Sequence, residues 1–213
     1  MTLTLSILVD NADSWIVPFA RDIQRTLARQ HHVTFAFKAA DIPEGDMLFL
    51  LGCTSIIPGE ILRRNTHNFV IHESDLPKGR GWSPIAWQVL DGKTRIPIVL
   101  FEAFEELDAG PIYLKDYIEL DGTELLPEIK RKQGEKTAEL VFRLVECWPD
   151  IQAMPQTEEP TYYPKRTRQD DALDPHKTLA EQFDHLRIMD NEKYPAWFAY
   201  RGRRYCLKIY KLD

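Results

Sequence analysis

The chain has 213 residues, 44% of them apolar and 28% charged, which suits one α/β unit with a small appendage and excludes a disordered chain. Thirty-three acids against 27 Lys and Arg give a net charge of −6, the wrong sign for holding nucleic acid by counterion release. No apolar run reaches the roughly 18 residues of a membrane span, so neither nucleic acid nor a membrane is an expected partner.

The start MTLTLSILVD has no basic stretch ahead of its short apolar run, unlike a secretory signal. Cys53, Cys147 and Cys206 are odd in number, far apart and without a C-x-x-C. They read as reduced thiols of a cytoplasmic protein, neither a disulfide framework nor a zinc site.

In chain order, a short apolar strand is predicted over 3–8, followed by Asp10-Asn11-Ala12-Asp13-Ser14, rich in helix N-cap residues. Apolar residues at helical spacing then predict a helix over 15–29. Strands follow over 33–37 and 47–51, the latter a continuous apolar run of the kind buried on both faces. The loop Gly52-Cys53-Thr54-Ser55 leads through Pro58 into a short helix ending near Arg64. Further strands are expected over 68–72, 96–104 and 112–120, with a helix over 84–90. This alternation predicts an α/β fold with a mostly parallel sheet flanked by helices, and ligands outside the carboxyl ends of the strands.

Leu125, Ile129, Leu140, Leu144 and Cys147 fit a long helix in which Gly134 marks a potential break. Pro149, Pro155, Pro160 and Pro164 punctuate a connector, which divides a catalytic unit over 1–150 from a tail subdomain over 151–213. In the tail, Leu179, Phe183 and Leu186 give one helical face. Residues 196–200 and 204–210 flank Arg201-Gly202-Arg203 as a final hairpin.

Chemistry concentrates in His72-Glu73-Ser74-Asp75-Leu76-Pro77-Lys78-Gly79-Arg80-Gly81-Trp82-Ser83-Pro84. A histidine ends a predicted strand, and a Gly/Pro-rich loop runs from it into a helix. Gly79 and Gly81 would permit close backbone approach to a ligand, and Lys78 and Arg80 could meet phosphates. The plainer reading is a solvated basic turn. Asp108, in the turn Leu107-Asp108-Ala109-Gly110-Pro111, could pair with the imidazole and orient it, or only bond its own backbone. Ser74 lacks a G-x-S-x-G, the adjacent His31 and His32 lack metal-ligand spacing, and G-x-G-x-x-G is absent.

The segment from His72 to Pro84 resembles the H-x-S-x-L-P…R-G-x-x-P pattern of the formyltetrahydrofolate-dependent formyltransferases. Asp108-Ala109-Gly110 resembles their D-[TA]-G, 36 residues further on. Tyr162-Tyr163-Pro164-Lys165-Arg166-Thr167 and the stretch from Leu186 to Phe198 are similar to the tail of members that formylate nucleotide-linked amino sugars. The resemblance implies a Rossmann-like domain that moves a formyl group from N10-formyltetrahydrofolate, without a metal, to the amine of a UDP- or dTDP-linked 4-amino-4,6-dideoxyhexose. It implies His72 and Asp108 as catalytic, and Gly52, Cys53, Ile57, Leu100 and Asp108 around the donor. Lys78, Arg80, Trp82 and Tyr194 would serve the acceptor, and the aromatic tail a homodimer. Glycinamide ribonucleotide and water are the other acceptors to weigh, and the tail is short for an enzyme acting on initiator tRNA.

One position departs from the pattern. Where the family carries Asn two residues before the histidine, this chain has Val70, which cannot donate a hydrogen bond. Asn68 shares that strand face but lies about 13 Å back along an extended chain. A replacement donor is expected from a backbone N–H of residues 79–82, from Thr54 or from His72 itself; otherwise the chain is a relative with a decayed site.

Overall fold

The computed structural model describes residues 1–103 and 106–212. In chain order it contains β1 (Thr4–Leu8), α1 (Val17–Leu27), β2 (His32–Ala36), β3 (Gly45–Leu50), α2 (Gly59–Leu62) and β4 (Asn65–His72). Next come β5 (Arg80–Gly81), α3 (Pro84–Leu90), β6 (Arg95–Glu102), β7 (Ile112–Glu119) and α4 (Leu126–Glu146). The tail adds β8 (Tyr162–Tyr163), α5 (Phe183–Arg187), β9 (Ala196–Tyr200) and β10 (Arg203–Leu207). The end of the predicted 96–104 strand falls outside the described residues.

Six strands form one sheet in the order β2-β1-β3-β4-β6-β7. The pairings β1–β2, β1–β3 and β3–β4 are parallel, whereas β6 runs antiparallel to both β4 and β7. The sheet is thus mostly parallel, as expected, with one reversed strand. β1 and β3 are covered on both faces, which explains their unbroken apolar runs. Leu5, Ile7, Met47, Phe49, Phe69, Ile98 and Leu100 face the main core, which α1 and α4 cover. Leu8, Leu48 and Leu50 point the other way, with Ile61. Val99 and Phe101 share that second face with Leu76 and Ile112.

Four expectations change. The Asp10–Ser14 cluster supplies no side-chain cap: α1 starts at Val17 with Pro18 in its first turn, and the Asp10 carboxylate instead accepts the N–H groups of Thr54 (2.9 Å) and Ser55 (2.8 Å). α4 runs unbroken through Gly134, because there the glycine serves close packing. A Cβ at that position would stand 2.5 Å from the Phe19 ring of α1. The tail helix shrinks to α5, since Leu179 and Phe183 stay exposed and only Leu186 is buried. Finally, Leu173, Leu186, Ile188, Met189 and Ala196 join the main core, so the tail packs into the same interior as the sheet. Among the described residues no helix is long and apolar enough to cross a membrane.

Candidate active site

His72 closes β4 on the face opposite Phe69 and Ile71, and is 7% exposed. Its Nε2 lies 2.8 Å from the carbonyl oxygen of Gly79. A carbonyl can only accept, so Nε2 carries the proton and Nδ1 is left as the lone-pair nitrogen of the neutral ring. The carboxylate of Asp108 comes within 3.9 Å of the same Nε2. That is a charge contact rather than a hydrogen bond. Asp108 Oδ2 instead accepts the backbone N–H of Gly81 at 2.9 Å. The structure therefore brings together the two residues the sequence singled out, with the 79–81 loop between them.

What shapes that loop comes from the tail. Segment 161–163 lies beside it as β8, pairing in parallel with β5. Gly79 N–H donates to Thr161 O (3.1 Å) and Thr161 Oγ1 (2.9 Å), Arg80 N–H to Thr161 O (2.9 Å), and Trp82 N–H to Tyr163 O (3.1 Å). Gly79 (φ +77°) and Gly81 (φ +101°) occupy left-handed backbone. A Cβ on Gly79 would sit 2.5 Å from the Tyr163 ring, and one on Gly81 2.6 Å from the Tyr163 carbonyl oxygen. The close approach read from these glycines is thus made by the tail strand, which corrects the expectation of a ligand there.

Other expected site residues separate. Arg80 is buried, with Nη1 2.5 Å from Glu106 Oε1 and Nη2 donating to Gln156 Oε1 at 3.0 Å. Its guanidinium is committed inside the protein, which corrects its reading as a free phosphate ligand. Lys78 is exposed and pairs with Glu158 at 2.6 Å, a hydrogen bond that raises its pKa. Trp82 is exposed beneath the Lys165 ammonium, 4.7 Å from the ring centroid. Tyr194 stands exposed in the tail turn before β9, closed by its N–H to Asp190 O. Leu100 is fully buried in the main core. Alternation along β6 sends it to the face opposite His72, so it cannot line a crevice there, whereas its neighbour Phe101 shares the His72 side.

The 52–57 loop crosses the sheet end near β1. Gly52 turns it with φ +61°. Cys53 Sγ–H donates to Leu8 O at 3.4 Å, and burial, aided by the Asp10 charge, pushes its pKa up to about 12. It is a packing thiol, not a nucleophile. Ile57, Val70 and Ala103 pack against the Leu48–Leu50–Ile61 cluster, and Val70 also meets the Leu76–Phe101 cluster. An apolar floor therefore lies beside His72 where a polar donor was sought. The N–H groups of Gly79, Arg80, Gly81 and Trp82 are all taken, Thr54 Oγ1 faces Asp10 at 3.3 Å, and Asn68 Nδ2 donates to Leu62 O. Of the expected replacements, only His72 keeps a nitrogen with no partner among the described residues.

Sequence reasoning missed Glu73, Gln133, Gln156 and Thr161. Glu73 Oε1 accepts from Gln133 Nε2 at 2.7 Å, its carbonyl accepts from Gln88 Nε2 at 2.6 Å, and burial raises its carboxyl pKa. Gln156 and Thr161 lie in the Pro-punctuated connector, where no periodicity marks them.

A mostly parallel, Rossmann-like sheet thus carries a histidine at the end of β4 with a carboxylate beside it. The formyl transferase family model matches residues 20–145, and the chain belongs to that family. A methionyl-tRNA formyltransferase from Bacillus thuringiensis is 28% identical over 148 residues, 68% of this chain and 47% of that protein. The chain thus spans about half the length of the curated relatives it matches. Among solved structures, a methionyl-tRNA formyltransferase from Clostridium thermocellum superposes with a TM-score of 0.83 at 20% identity, covering 99% of this chain and 94% of its own. A 4-N formyltransferase from Francisella tularensis gives 0.72 at 18%, covering 99% of each chain. HypX from Aquifex aeolicus in complex with tetrahydrofolic acid gives 0.81 at 19%, covering 98% of this chain and 38% of its own.

Proposed function

We propose that the chain transfers a formyl group from N10-formyltetrahydrofolate to the amine of a nucleotide-linked amino sugar. The observation that carries this reading is His72 with Nε2 tied to a backbone carbonyl, Asp108 at 3.9 Å, and no partner for Nδ1 among the described residues. The half-buried apolar surface of Ile57, Val70 and Ala103, with exposed Ile56 at its rim, suits a flat ring system such as a pterin. When bound, the folate supplies an activated formyl carbon. His72 Nδ1 would take the proton released as the amine attacks the formyl carbon and return it to N10 as the formyl C–N10 bond breaks, leaving the formamide and tetrahydrofolate, and the Asp108 charge would stabilise the imidazolium in between. With Val70 apolar, that imidazolium is also the cation placed to steady negative charge on the formyl oxygen. The Gly52-Cys53-Ile57 edge would border the donor. Exposed Lys78, Trp82 and Tyr194 remain the candidate acceptor contacts.

The sugar acceptor rests on the tail motifs and on the likeness to a 4-N formyltransferase. The net charge of −6 disfavours the tRNA acceptor named for the curated relatives. Incubation with N10-formyltetrahydrofolate and a panel of UDP- and dTDP-linked amino sugars, read by mass spectrometry, tests it. Formylated sugar is expected. Donor turnover without acceptor would point to hydrolysis, and formylation of methionyl-tRNA alone would replace the sugar reading.

A further inference from the structure

The carboxamide of Gln156 sits where three segments meet. Its Nε2 donates to the carbonyl oxygens of Asp108 and Gly110, both at 2.8 Å. Its Oε1 accepts from Arg80 Nη2 at 3.0 Å. Both amide hydrogens and one lone pair are thereby used. The turn it clasps needs holding. Asp108 has φ +53°, a left-handed conformation disfavoured for a residue with a Cβ. Gly110 is pressed against the end of β6 so closely that a Cβ would overlap the Glu102 carbonyl oxygen at 1.8 Å.

The clasp is itself anchored on both sides. Two residues earlier, Met154 exchanges both backbone hydrogen bonds with Ile112 at 2.8 Å, fixing the connector to β7. On the other side, Arg80 is buried and its second amino group is held by Glu106. The residue after Arg80 is Gly81, whose N–H carries the Asp108 carboxylate. One side chain thus links the backbone of the acid to the loop that the acid's own carboxylate grips.

We propose that Gln156 is a positioning residue for the His72–Asp108 pair, which sets the approach of the carboxylate to the imidazole; this rests on the reading of that pair given above. Gln156→Leu removes all three hydrogen bonds at similar volume, and Gln156→Glu keeps the acceptor toward Arg80 while losing both donors. In Gln156→Leu, kcat should fall about 10- to 100-fold, as for a reacting group shifted by a fraction of an ångström to an ångström, with KM for donor and acceptor changed less than about threefold. The ring nitrogen resonances of His72, followed by NMR on the free protein at one pH, should shift as the carboxylate draws away from the imidazole. In an Asp108→Asn background the same substitution should change kcat less than about twofold, because the group it positions is already gone.

An unchanged kcat with unchanged His72 ring resonances in folded Gln156→Leu overturns the proposal, as does a full independent loss in the Asp108→Asn background. Should Gln156→Leu fail to fold, Gln156→Glu takes its place with the same expected and overturning results. Absence of any formyl transfer by the wild-type chain overturns only the functional reading. The His72 ring resonances and their response to Gln156 are measured without substrate and decide the positioning claim alone.

Discussion

Asp108 lies 3.9 Å from the imidazole of His72 while its carboxylate rests on the backbone N–H of Gly81, 2.9 Å away. Its nearest tie is to the loop, and its effect on the histidine is through charge. Two consequences separate: the carboxylate holds the loop in place by a hydrogen bond, and it sets a negative charge beside the imidazole without fixing the ring orientation, which the Gly79 carbonyl does.

Replacing His72 by Ala should lower kcat by about 10²- to 10⁴-fold, the usual cost of losing a positioned base, with folate affinity within a few fold. Asp108→Asn should reduce turnover, since the neutral amide no longer stabilises the imidazolium formed as the base takes its proton. Turnover by Asp108→Asn at the wild-type rate would remove the carboxylate from the pair.

Gly79 and Gly92 form a matched comparison. Both have left-handed backbone, φ +77° and φ +75°, but a Cβ on Gly79 meets the Tyr163 ring at 2.5 Å whereas one on Gly92 meets open space. Gly92→Ala should cost about 1–2 kcal/mol for the backbone conformation alone. Gly79→Ala adds overpacking of typically 1–3 kcal/mol. Urea unfolding that gave equal losses would show that Tyr163 yields freely.

Burial raises the pKa of Glu73 above the ordinary carboxylate range. The folded state therefore holds this proton more tightly than the unfolded chain. Its contribution is complete below the unfolded value and is lost as pH rises from there through the raised folded value. Glu73→Gln should flatten that fall in stability while keeping a partner for Gln133. Thermal melts across the acid range that keep the same slope in the variant would deny Glu73 this part.

Val70→Asn tests the apolar floor. If His72 supplies the only cation at the formyl oxygen, the new amide should change kcat less than about tenfold. Burying it among Ile57, Ala103 and Phe101 without partners should cost about 1–3 kcal/mol of stability. A hundredfold gain in kcat would mean that the site lacks a donor the asparagine restores.

The sheet was legible because β1 and β3 are apolar on both faces, a pattern few other elements produce. The reversal of β6 was not, since strand direction depends on the path of the connecting loop. His72 and Asp108 were legible as a pair of short motifs at a fixed separation. The fate of their neighbours was not. Arg80 reads as a free cation until Glu106 and Gln156 are seen to enclose it. Leu100 reads as a cleft residue until the β4–β6 register, His72 opposite Val99, assigns it to the other face. Gln156 and Thr161 act 48 and 82 residues from their partners Asp108 and Gly79, beyond the reach of any local pattern. Removing the chain from Thr161 onward would therefore strip the Gly79–Trp82 loop of its hydrogen-bond partners as well as removing Tyr194.

The strand formed by Tyr162 and Tyr163 has a consequence for how the chain acquires its shape. Contacts this distant in sequence close late, after the entropy of the intervening loop has been overcome. During synthesis from the N-terminus, β4 and the Gly79–Gly81 turn emerge some eighty residues before the strand that frames them. The sheet can assemble while that turn is still unformed, and the His72 loop takes its final curvature only when residue 163 has left the ribosome and docked.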